Sequence, residues 1–156
     1  MFLLTTRFTD ETWSQNQLYR ARHPRAKCIY GSPHEMSPKI EPREVVCMIE
    51  MNNTQNKVMG VGLVRNNPYL QKFLIYDAQG YNRYVFVGEY HLERDELPEA
   101  VLKALDIILF KGKTHMKRSS GFTTMPEKLL RDERCDGVNI EHEITETFRA
   151  KFRSCP

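Results

Sequence analysis

No apolar run in the 156-residue chain approaches the roughly 20 residues that cross a bilayer, and Met1-Phe2-Leu3-Leu4 gives way at once to Thr5-Thr6-Arg7. A membrane span and a recognisable secretion signal are both missing, so an intracellular protein, cytoplasmic or nuclear, is expected. The four cysteines, Cys28, Cys47, Cys135 and Cys155, form no C-x-x-C pair, which excludes a zinc ribbon or a thioredoxin-like motif and suggests free thiols. Tryptophan is nearly absent, with Trp13 alone. Internal repeats and low-complexity tracts are missing, and a net charge of +3 is too small to define a nucleic-acid binder by itself.

Enzymatic signatures are equally scarce. Gly112-Lys113-Thr114 lacks the glycine five positions earlier that a phosphate-binding loop needs, and Ile107 stands there instead. His91-Leu92-Glu93 has no downstream P-C-x-x-C to complete a deaminase zinc site. No metal site, cofactor or catalytic residue is therefore assigned. His115 and His91 are the two side chains on which a nuclease or nucleotide-processing activity would rest.

What the chain does have is an uneven distribution of charge. Six acids face two bases from Glu89 to Asp106, whereas six bases face one acid from Lys111 to Arg131. The acidic stretch, 89–106, offers a face for a basic protein partner. The basic one contains Lys111-Gly112-Lys113-Thr114-His115-Met116-Lys117-Arg118-Ser119-Ser120-Gly121, a loop whose cations and hydroxyls suit phosphate oxygens while its glycines let the backbone approach. Lys111, Lys113, His115, Lys117, Arg118 and Ser119 are the candidate nucleic-acid contacts. The aromatics Trp13, Tyr30, Tyr81, Tyr84, Phe86 and Tyr90 could stack on bases, Trp13 and Tyr30 foremost because their surroundings are rich in loops.

Periodicity gives a mixed strand and helix pattern. Phe2 to Phe8 reads as a strand, and Thr9-Asp10-Glu11 caps a short helix through Trp13 and Tyr19. Arg20 to Lys27 reads as an exposed basic loop, and Cys28 to Ser32 as a strand before a turn. Val45 to Met51 and Val58 to Val64 form a hairpin with a polar tip; Gly60 and Gly62, two apart, clear one strand face for something that packs or binds closely. Phe73 to Tyr76 is a further strand candidate, and Arg83 to Leu92 reads as one strand with an aromatic face. Asp95 is expected to cap a core helix running to Gly112, Pro126 to Arg134 is a short helix, and residues 138–153 form a last helix whose acids lie early and bases late.

The order strand, short helix, polar loop, turn, then hairpin resembles the PUA-like superfamily, particularly its EVE, YTH and ASCH-like domains. The likeness is carried by Phe2-Leu3-Leu4-Thr5-Thr6-Arg7, by Cys28 to Ser32, and by Val45 to Met51 followed by Asn56 to Val64. It implies one α+β domain over residues 1–156: a partly open mixed β-barrel flanked by three to four helices. It also implies a non-enzymatic RNA- or DNA-binding function that holds a flipped-out or modified base in a pocket bordered by Thr5, Thr6, Arg7, Trp13, Tyr30, Gly31 and Ser32. The chain is also similar, faintly, to uncharacterised proteins of large eukaryotic DNA viruses.

Overall fold

A computed structural model describes residues 1–156. Strands β1 (Phe2–Phe8), β3 (Val45–Asn52), β4 (Lys57–Arg65), β6 (Tyr90–Glu93) and β7 (Thr123–Thr124) form a five-stranded mixed sheet in the order β6-β4-β3-β1-β7. A separate two-stranded sheet pairs β2 (Cys28–Ser32) with β5 (Tyr84–Gly88). Four α-helices complete the α+β fold: α1 (Asp10–Arg22), α2 (Glu99–Phe110), α3 (Glu127–Leu130) and α4 (Ile140–Lys151). The strands do not close into a barrel. No helix is long and apolar enough to cross a membrane.

The central strands are apolar on both faces because both faces are covered, which is the setting in which strand sequences stop alternating. From β3, Val46 and Met48 join Leu4, Val64, Tyr30 and Phe86 in one cluster, while Cys47, Ile49 and Met51 join Leu3, α2 and α4 in the other. Strand β1 lies parallel to β3 in register Phe2↔Val46 through Phe8↔Asn52, and its free edge is covered by β7 through Leu4↔Thr124 and Thr5↔Thr123. The end of β1 is thus held between a hairpin and a much later segment.

Four local expectations need correction. Arg20 and Arg22 belong to α1 rather than to a loop, since Thr9 caps the helix through Thr12 and the chain leaves it only at His23, just before Pro24. Phe73–Tyr76 is irregular; Asn82 Oδ1 accepts from the Ile75 and Tyr76 amides at 3.0 and 2.9 Å and so replaces ladder partners. Arg83 to Leu92 is two strands. The carbonyl of Leu63 lies 2.0 Å from where a Cβ on Gly88 would stand, so β5 ends by crossing close over β4, and after Glu89 the chain joins the other sheet as β6. A two-residue period continues through such a bend and does not report it. Asp95, finally, lies in a 3₁₀ turn, and α2 starts at Glu99 with Pro98 at its N-cap.

Candidate nucleic-acid interface

A cavity of about 320 Å³ opens where the C-terminal half of β1 meets the basic segment. Thr6, Arg7 and Phe8 reach it from β1, Thr9 and Thr12 from the start of α1, Gly31 from β2, and Lys117, Ser119, Ser120 and Gly121 from the basic segment. Tyr76, Tyr81 and Asn53 complete the wall. Two cations and five hydroxyl-bearing Thr and Ser residues line it, and no carboxylate does.

Each wall has a local cause. A Cβ on Gly31 would sit 1.9 Å from the Tyr81 carbonyl oxygen and 3.0 Å from the Tyr76 ring, so only glycine lets the Tyr76–Tyr81 segment lie across β2. Residues 111–121 form a strap whose two ends turn through positive φ, 81° at Gly112 and 66° at Gly121. Arg134 donates to the Lys111 carbonyl at 3.0 Å, Asn53 Nδ2 to the Lys117 carbonyl at 2.9 Å, and Arg7 to the Met116 carbonyl at 3.3 Å and to the Gly121 carbonyl. The strap is therefore a pinned element, with Arg118, Ser119 and Ser120 exposed between its fixed points.

Arg7 is the centre of that arrangement. Its terminal nitrogens also donate to Thr5 Oγ1 at 2.9 Å and Thr123 Oγ1 at 3.1 Å, so every oxygen that holds the guanidinium is neutral. Burial lowers its pKa to about 10, with Tyr81 opposing the shift, which leaves it fully charged at neutral pH. Its Nε is buried without a hydrogen-bond partner, as is Asn53 Oδ1. None of the ion pairs in the molecule involves Arg7, Lys111, Lys113, Lys117 or Arg118. An anion entering this cavity meets uncompensated positive charge.

The structure brings Thr6, Arg7, Gly31, Lys117 and Ser119 together at this cavity. Lys111, Lys113 and Arg118 are exposed along the strap, and half-buried His115 uses Nδ1 to accept from the Lys117 amide at 3.2 Å. Four expected pocket residues lie behind the wall instead. Thr5 is fully buried, its hydroxyl donating to the Thr123 carbonyl and accepting from Arg7; Ser32 is buried and accepts from the His34 amide at 3.1 Å; Trp13 packs edge-on against Phe8 at 5.1 Å. Tyr30 is fully buried, because strand alternation that points Gly31 to the cavity points Tyr30 into the sheet. Of the aromatic stacking candidates Tyr81 reaches the cavity, and Tyr76, Thr9, Thr12, Asn53 and Ser120, which the sequence does not single out, complete the site.

Tyr30 belongs to a second polar cluster under the hairpin. Its hydroxyl donates to Glu50 Oε2 at 2.6 Å, and His91 Nε2 lies 3.0 Å from both Glu50 oxygens. Gly60 and Gly62 make room for it: Cβ atoms there would stand 2.8 Å from Glu50 Oε1 and 2.2 Å from Tyr30 Oη. Burial by itself would lower the His91 pKa, but the charge and hydrogen bond of Glu50, with Glu93, raise it to about 9. His91 is thus an imidazolium at neutral pH. Its Nδ1 sits between Glu93, at 3.5 Å, and Arg20, at 3.3 Å; protonated it donates to the first, and neutral it accepts from the second.

The acidic stretch is partly consumed by internal pairs. Glu93 lies near Arg20, Asp106 holds Arg94 at 2.8 Å, and Glu96 pairs with Lys151. Three of the six acids remain outside such pairs. No protein-family model matches the chain, and no curated protein matches it significantly.

Proposed function

We propose that this protein binds nucleic acid without catalysing a reaction on it, in a PUA-like arrangement. Backbone phosphates run along the strap at Lys111, Lys113, Lys117 and Arg118, and one nucleotide enters the cavity above Arg7. The observation that supports this reading most is the convergence of β1, Gly31 and the strap on one cavity lined by two cations and no carboxylate. Exposed Tyr81 supplies an aromatic ring at that wall, and ring faces hold bases with little regard to their hydrogen-bond pattern.

Catalysis has less support. His115 lacks an acidic partner, and both His91 nitrogens face groups of the protein itself. A protein-docking role for residues 89–106 is weakened by the ion pairs that occupy half of its acids.

The test is fluorescence anisotropy with labelled single-stranded RNA and DNA across a salt titration. Binding should weaken as salt rises, and replacing Lys111, Lys113, Lys117 and Arg118 together by alanine should lower the slope of log K against log salt by about 3, from about 0.7 per phosphate contact. Absence of binding, or binding indifferent to salt, refutes the proposal.

A further inference from the structure

We propose that Ser120 is a phosphorylation site whose phosphate folds into the cavity against Arg7 and Lys117 and closes it to nucleic acid; the closing role rests on the function proposed above. Lys117-Arg118-Ser119-Ser120 places cations three and two residues before the acceptor, a charge pattern that suits a protein kinase with an acidic substrate groove. The segment is in neither helix nor strand, and Ser120 is exposed, so its hydroxyl is accessible in the folded protein.

The geometry supplies a destination for the product. Ser120 lines the same cavity as Arg7 and Lys117, and it directly precedes Gly121, whose carbonyl accepts from Arg7. A phosphoserine carries a charge near −2 at neutral pH and forms charge-assisted hydrogen bonds with such cations. No carboxylate lines the cavity to oppose it, and Arg7 has no anionic partner of its own.

In the transfer, Ser120 Oγ attacks the γ-phosphorus of a nucleoside triphosphate held by the kinase. The hydroxyl proton passes to the kinase's base, an Oγ–P bond forms, the β–γ bridging bond breaks, and the nucleoside diphosphate leaves. The installed dianion then competes for the charges that would meet a nucleic-acid phosphate.

The test treats the folded full chain with a basophilic serine kinase and ATP, locates the phosphate by mass spectrometry, and follows it by ³¹P NMR against pH. Phosphate on Ser120, with its second pKa below the usual value of about 6, is expected, and Lys117→Ala should move that pKa back up. Failure to phosphorylate the folded chain, phosphate on Ser119 instead, or titration like a free phosphoserine overturns the proposal. Oligonucleotide affinity should fall at least tenfold on phosphorylation, whereas kinase treatment of Ser120→Ala should leave the affinity of that variant where it stood before treatment. Equal affinity with and without the phosphate overturns the closing role. If the unmodified chain binds no oligonucleotide while the phosphate titrates as a docked group, the nucleic-acid reading fails and the modification site stands.

Discussion

Replacing His91 by glutamine should change how stability depends on pH in a defined direction. In the folded protein the imidazole, with its side chain 5% exposed, sits against the Glu50 carboxylate, and its pKa rises from 6.5 to about 9. The folded state therefore keeps a proton that the unfolded chain releases. The resulting stabilisation is complete below pH 6.5 and is lost as pH rises through 9. A rise of that size corresponds to about 3 kcal/mol, at 1.36 kcal/mol per pH unit. Urea unfolding of wild type and His91→Gln at intervals from pH 6 to pH 10 isolates the effect, because the tyrosines, lysines and thiols that also titrate there are common to both. The stability margin of wild type over the variant should narrow by about 3 kcal/mol across that range. A margin that stays constant, or that widens, refutes an imidazolium paired with Glu50.

Other perturbations separate the two polar clusters. Gly62→Ala should destabilise by about 1–3 kcal/mol or more, read from the urea midpoint, because its Cβ would lie 2.2 Å from Tyr30 Oη and 2.6 Å from Cys28 Sγ. Tyr81→Ala should weaken oligonucleotide binding by about 1–3 kcal/mol in anisotropy titrations, whereas Trp13→Phe should leave it unchanged. Arg7→Leu should raise amide hydrogen exchange between residues 116 and 123, since the carbonyls of Met116 and Gly121 lose their donor.

The strands and helices with strong local signals could be read from sequence: β1, the β3–β4 hairpin, the capped start of α1, and the apolar stripe of α4. The breaks could not. The division between β5 and β6 depends on Gly88 lying against the Leu63 carbonyl, a contact between residues 25 apart that leaves no periodic trace. The space predicted over Gly60 and Gly62 is real, and its occupants, Tyr30, Glu50 and His91, come from three other strands. For the candidate site, charge composition pointed to the strap and the family resemblance to Thr6, Arg7 and Gly31. Thr9 was masked by its use as a helix cap, Thr12 carries no signal of its own, and Tyr81 was one of six stacking candidates with no pattern linking it to Gly31. Assigning Trp13 and Tyr30 from aromatic character, loop-rich surroundings and the family resemblance missed the direction in which each side chain points.

The pairing of β1 with β7 has a consequence for the order in which the site can appear during synthesis. Thr5 and Arg7 are made early relative to their partners, since the oxygens of Met116, Gly121 and Thr123 that hold Arg7 come more than a hundred residues later. A nascent chain that has already paired β1 with β3, and β3 with β4, still lacks the strap that walls its cavity. The cavity itself therefore forms late and all at once, when the strap emerges from the ribosome and β7 closes the edge of the sheet.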